Sequence, residues 1–151
     1  MRLSAVSLII FVLLALGAAG YRFAHKPMSD FADHSQRLIA VGGVPVQAEV
    51  VSTDASRQQG LSGRDDLAPD TGMLFVFEGD GVWGFWMKDM RFSIDIVWAD
   101  NNGTIVAIDK SVSPDTYPQV FYPPTPARYA VELPAGWAQS HDLAVGQKIV
   151  L

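Results

Sequence analysis

The rhythm of apolar residues constrains this chain most: from Leu38 onward, short apolar runs alternate with Gly, Pro, Asn and Asp turn residues at intervals of about ten. Runs of that length suit strands, and they leave no room for helices long enough to cross between many parallel strands, so neighbouring strands should reverse as hairpins. The expectation is an α+β, β-rich fold: a mostly antiparallel curled sheet or partly open barrel of about eight strands, with two short helices. Hydrophobic residues make up 49% of the 151 and charged residues 18%, which supplies one sizeable core and therefore one domain. The chain has no cysteine. Disulfides, a thiolate nucleophile, iron-sulfur clusters and cysteine-ligated zinc are excluded, so packing alone must stabilise the fold.

Ahead of that domain the composition changes. Residues 3–20 carry no charge, follow Met1-Arg2 and are dominated by Val, Leu, Ile, Phe and Ala. Small residues Gly17-Ala18-Ala19-Gly20 close the stretch, as a signal peptidase site requires, so residues 1–20 read as a signal peptide cleaved after Ala19. The rival reading is an uncleaved N-terminal membrane anchor, because the stretch just reaches the length that spans a hydrocarbon layer. Either way the segment inserts in a membrane at least transiently, and the remainder is expected to be exported to the periplasm or cell envelope. Residues 21–37, polar and without periodicity, read as a flexible linker, leaving residues 38–151 as the single β-rich domain. Sixteen acids against eleven Lys and Arg give a net charge of -5. No basic cluster exists to neutralise phosphates, which excludes nucleic acid as a partner.

Individual elements follow from local chemistry. Residues 38–41 and 44–51 flank Gly42-Gly43, a dipeptide that tolerates the positive φ of a tight hairpin turn. Thr53-Asp54 offers side-chain oxygens to a short helix reaching about Leu61, with Gly60 or Gly63 to end it. Residues 72–77 and 82–88 read as a second, aromatic-rich hairpin around Glu78-Gly79-Asp80-Gly81. Residues 93–98 and 104–112 form a third, turning at Asn102-Gly103. Residues 113–126 hold Pro114, Pro118, Pro123, Pro124 and Pro126, so they read as a semi-rigid loop without ladder or helix. Residues 128–133 make a further strand, residues 135–142 a short helix, and residues 148–151 a closing strand.

Several blocks stand in one order: Gly60-Leu61, Arg64, Gly72-Met73-Leu74-Phe75-Val76-Phe77, Phe85-Trp86-Met87-Lys88, Asp95-Ile96 and Glu132-Leu133-Pro134-Ala135-Gly136. Together they resemble domain-of-unknown-function family 192, over residues 38–151. Asp89-Met90 replaces the family's common Asn-Thr pair, and Ser62 replaces its usual Met. The resemblance implies a compact β-rich domain, often exported by bacteria, and implies no established reaction or ligand.

Charges that interrupt apolar strands are the candidate site residues. Asp95 lies between Ile94 and Ile96, Glu132 between Val131 and Leu133, Arg128 opens its own strand, and Lys88 follows Trp86. A functional reading has Trp86, Lys88, Asp95, Arg128 and Glu132 converging on one cleft, with Trp86 stacking on a small polar ligand and the charges hydrogen-bonding it. The structural alternative pairs Arg128 with Asp95 or Glu132 to close a barrel end, leaving Lys88 solvated. Arg64, beside Asp65 and Asp66, reads as a local ion pair or helix-end contact.

Catalytic signatures are thin. His25, His34 and His141 have no metal-ligand spacing, and no metal or cofactor is implied. Gly60-Leu61-Ser62-Gly63 is no nucleophile elbow. The expected function is a non-enzymatic small-ligand-binding or accessory module of the cell envelope. One alternative is an envelope hydrolase using Asp95 and Glu132 as paired carboxylates. The other is a protein-protein interaction module built on exposed aromatics and the proline-rich loop.

Overall fold

The structure is a computed structural model that describes residues 28–151. The signal peptide or anchor expected over residues 1–20 lies outside the described residues, as does the start of the expected linker. The described residues form nine strands: β1 (Gln36–Val41), β2 (Val44–Val51), β3 (Thr71–Gly81), β4 (Phe85–Trp86), β5 (Ile94–Ala99), β6 (Ile105–Val112), β7 (Val120–Phe121), β8 (Ala127–Pro134) and β9 (Ile149–Val150). Two short helices accompany them, α1 (Asp54–Gln59) and α2 (Trp137–Ser140). Among the described residues no helix is long and apolar enough to cross a membrane.

Seven strands form one sheet in the order β6-β5-β8-β3-β2-β1-β9, and β4 with β7 forms a separate two-stranded ribbon. Every pairing is antiparallel except β2 with β3. The sheet curls until its edges touch at one end. Thr104, just before β6, bridges Lys148, just before β9, and the Ile149 N–H donates to the Gly103 carbonyl at 2.7 Å. The fold is thus the β-rich, curled half-barrel that the sequence predicts.

Both sheet faces are covered, which is why β5 is buried along its whole length. One face packs Val46, Leu74, Val97, Val131 and Leu133 against Phe31 and Trp137. The other packs Met73, Phe75, Ile96 and Trp98 beneath Leu61, Phe85 and Met87, which come from the end of α1 and the aromatic ribbon.

Two of the predicted hairpins form, β1 with β2 and β5 with β6. The aromatic hairpin does not. Residues 72–77 are buried throughout, and β3 runs on through the expected turn to Gly81. In the sheet centre β3 has β2 on one edge and β8 on the other, so no hydrogen-bonding edge remains for residues 82–88. They fold back instead: Trp83 stacks on Phe77 at 4.4 Å, and β4 pairs with β7. A Cβ on Gly84 would lie 2.6 Å from Tyr122 Cε1 and 2.7 Å from Val120 Cγ1, so only glycine permits this approach.

The proline-rich segment is corrected accordingly. It contains a 3-10 turn at Pro114–Thr116 as well as β7, because Val120 and Phe121 lie between prolines and keep their backbone N–H groups. Residues 28–37 also depart from the expected linker. Met28–Asp30 is a 3-10 turn, Phe31 is buried in the core, and the His34 N–H donates to the Val50 carbonyl at 2.7 Å. A segment too short to show periodicity is held by one buried aromatic and a few hydrogen bonds.

Candidate functional site

The helix beside the cleft is fixed by its first residues. Thr53 accepts from the Ser56 N–H, and the Ser56 hydroxyl is reached by the Thr53 N–H, which completes a capping box. Asp33 reinforces this end, accepting from the Ser52 N–H at 2.8 Å, the Ser56 hydroxyl at 2.7 Å and the Thr53 hydroxyl at 3.1 Å. Desolvation opposes ionisation of Asp33, but those hydrogen bonds win and hold its carboxyl down at about 2. Arg57 then clamps the helix to the sheet, donating to the Ser52 carbonyl at 2.6 Å and the Val76 carbonyl at 2.8 Å.

A cleft of about 240 Å³ opens between α1, β3, β4 and β8. Phe75, Phe77, Phe85 and Trp86 supply its aromatic wall, and Arg57, Gln58 and Gln59 come from α1. Phe85 stands edge-on to Phe75, with ring centroids 4.8 Å apart, and to Trp98 at 5.7 Å, so the wall is rigid. Glu132 also lines the cleft, although it is 95% buried. Its carboxyl makes no hydrogen bond among the described residues, and Oε2 is fully buried without a partner. Burial pushes this acid up to about 8, against the weaker pull of the Arg64 guanidinium. Glu132 is therefore mostly protonated at neutral pH and carries an O–H donor.

A second cleft of about 470 Å³ adjoins the first and shares Gln58, Gln59, Ser62 and Trp86 with it. Lys88 and Asp89 line this outer lobe. Trp86, 45% exposed, stands where the two lobes meet, with the Lys88 ammonium 5.9 Å from its ring centroid and Tyr117 edge-on at 6.0 Å.

Three of the five predicted site residues, Glu132, Trp86 and Lys88, thus line two connected clefts. Asp95 does not join them. Leu133 lies opposite Asp95 and Ile96 opposite Glu132, and those neighbours belong to different core layers, so the two acids project from opposite faces of the sheet. Asp95 is fully buried and accepts from the Ser111 N–H at 2.7 Å, the Gly136 N–H at 3.1 Å and the Ala138 N–H at 2.7 Å. It ties β5 to β6 and to the start of α2. Arg128 lines neither cleft, its Nε is buried without a hydrogen-bond partner, and it pairs with neither acid. The ion pair imagined as a barrel closure is therefore absent among the described residues; backbone bonds at Thr104 and Lys148 close the edges.

Arg64 also differs from expectation. It pairs with Glu49 of β2 at 2.7 Å, not with its sequence neighbours, and His34 binds the other Glu49 oxygen at 2.8 Å. The residues that sequence reasoning missed are Phe75, Phe77 and Phe85, together with Gln58 and Gln59. The glycine-bounded helix was visible, but its side-chain face toward β4 was not. No three His, Asp or Glu side chains group as metal ligands among the described residues.

Fold and site together define a β-rich half-barrel domain with an aromatic cleft floored by one buried acid. The chain belongs to the uncharacterised family DUF192, described as Uncharacterized ACR, whose model matches residues 37–151. Two crystal structures share the fold. A protein of Sinorhizobium meliloti 1021, provisionally named a transcription regulator, is 24% identical with a TM-score of 0.72, over 78% of this chain and 95% of its own. A Novosphingobium aromaticivorans DSM 12444 protein of unknown function is 21% identical with a TM-score of 0.73, over 77% of this chain and 85% of its own. No curated protein matches the chain significantly.

Proposed function

We propose that the domain is a non-enzymatic binding module for a small organic ligand, which enters past Trp86 and meets Glu132 at the cleft floor. The observation that carries this reading is the Glu132 carboxyl, buried without a hydrogen-bond partner in a cleft walled by four aromatic rings. A buried polar group in that state gains from any ligand that satisfies it, and aromatic walls favour a flat apolar body. The paired-carboxylate hydrolase loses its support, since Asp95 stands on the opposite sheet face with both oxygens taken by backbone N–H groups.

A second reading, docking of an envelope protein, is favoured by the exposed Trp86, Tyr117 and Tyr122 around the ribbon. The two readings separate at Glu132, which a partner resting on the rim would not touch. Mass spectrometry of small molecules retained by the purified full-length chain tests the first. A compound retained by the wild type and lost from both Trp86→Ala and Glu132→Leu supports it; retention of nothing across an envelope metabolite library removes it.

The setting we propose is the cell envelope, on the support of the uncharged apolar residues 3–20. The mass of the purified N-terminus checks this. A chain beginning after Ala19 indicates cleavage, and an intact Met1 recovered with membranes indicates an anchor.

A further inference from the structure

The ligand class can be narrowed, on the premise that the cleft binds a small molecule as proposed above. Three observations bear on it. First, Glu132 has no cation within ion-pair distance and no hydrogen-bond donor on its carboxyl among the described residues. A carboxylate so enclosed would be strongly disfavoured, so the group is held as the neutral acid and offers a proton to an acceptor. Second, two of the aromatic faces available to a ligand cation already hold the protein's own: the Arg57 guanidinium lies 5.3 Å from the Phe77 centroid, and the Lys88 ammonium 5.9 Å from that of Trp86. Third, Lys88 lines the adjoining outer lobe, its backbone carbonyl accepting from the Ser62 hydroxyl at 2.8 Å, while its ammonium makes no ion pair or hydrogen bond among the described residues. Its charge is free to meet an anion beyond Trp86.

We infer that the two lobes together recognise a flat-ringed monoanion, its acceptor atom accepting a hydrogen bond from the Glu132 O–H at the floor and its negative group meeting Lys88 outside Trp86. The ring lies against Phe75, Phe77 and Phe85 in the inner lobe, and Gln58 and Gln59 flank the passage between lobes. Asp89 also lines the outer lobe, so a second negative charge on the ligand is repelled there. A ligand ammonium meets Lys88 and Arg57 in turn and finds no ionised partner at the floor. The raised ionisation point of Glu132, about 8, agrees with the neutral acid that this geometry requires.

Three matched probes test the inference by calorimetry on the full-length protein: 4-acetylbenzoate, uncharged acetophenone and 4-acetylbenzylammonium. At about pH 6.5 the benzoate is expected to bind about tenfold tighter than acetophenone, with the ammonium weakest. Lys88→Met removes the benzoate's advantage, so that benzoate and acetophenone bind within about twofold of each other. Glu132→Leu weakens all three, whereas Glu132→Gln, which keeps a neutral donor, stays within about threefold of wild type. Raising the pH to about 9.5 weakens binding by wild type and leaves Glu132→Gln unaffected. Tightest binding of the ammonium probe, or tightening at high pH, overturns the inference while leaving the cleft as a ligand site. Binding that survives both Glu132→Leu and Trp86→Ala, or no binding by any probe, overturns the inference and the cleft reading together.

Discussion

Glu132 and Asp95 are two buried acids on adjacent strands whose surroundings drive them to opposite chemistry. Asp95 accepts three backbone N–H groups, so it acts as an internal brace. Asp95→Ala is expected to cost about 3–5 kcal/mol, because it leaves the N–H groups of Ser111, Gly136 and Ala138 unpaired inside the domain. Urea unfolding measures the loss. Glu132 has no such support and keeps its proton to about 8, whereas in the unfolded chain it ionises near 4.5. Between those values the native state holds a proton that the unfolded chain has released, so stability falls as pH rises from about 4.5 to about 8 and levels off beyond. Glu132→Gln should flatten that part of the profile, which unfolding midpoints at about pH 6 and about pH 9 would show. Trp86→Ala should weaken ligand binding and change stability by under about 1 kcal/mol, since the indole is already half exposed. Sequence alone singled out both acids as charges in apolar strands. It could not tell brace from ligand group, because that depends on what lies across each sheet face.

At the scale of elements, α1 shows how much a local signal can carry. The sequence offered Thr53-Asp54 for its start and Gly60 or Gly63 for its end, and Thr53 and Gly60 take those roles. Thr53→Ala is expected to cost about 1–2 kcal/mol, toward the upper end because the Thr53 hydroxyl also binds Asp33. The same change loosens the wall that carries Gln58 and Gln59, so ligand affinity falls with the melting temperature. The aromatic segment 82–88 shows the opposite case. Its composition fits a strand, and strand-like pairing does occur, but with β7, more than thirty residues further on, instead of β3. Local propensity measures how well a residue suits a pleated surface and carries no information on which edge is free. The unpredicted pairing is what brings Phe85 and Trp86 to the cleft.

The whole molecule depends on bringing the sheet's first and last strands to one place. Closure passes through Gly103, which has a φ of 73°, and an added Cβ there would lie 2.3 Å from the Ile149 carbonyl oxygen. Gly103→Ala should therefore separate β9 from the turn before β6 and cost about 2 kcal/mol or more, with hydrogen exchange fastest at Gly103, Ile105 and Ile149. The N-terminal boundary is equally a property of the whole. A chain beginning at residue 38 lacks buried Phe31 and the Asp33 brace on α1, and is expected to be about 3 kcal/mol less stable than one beginning at residue 28. The curled, mostly antiparallel architecture was legible in the short strands and their turn residues, whereas the covering of both sheet faces emerged only in the tertiary structure.

What the amino-acid order determined by itself is local: the Gly42-Gly43 and Asn102-Gly103 reversals, the capped helix, the strands of the seven-stranded sheet, and the family blocks that mark the chain. These follow from backbone freedom and side-chain alternation over a few residues, where each choice is nearly independent of the rest. Which strands pair, which face each acid takes and which rings meet at the cleft were decided only in the tertiary structure. Alternation fixes the two sides of a single strand but not how the sides of distant strands correspond, and that match is set when both faces of the sheet are buried at once.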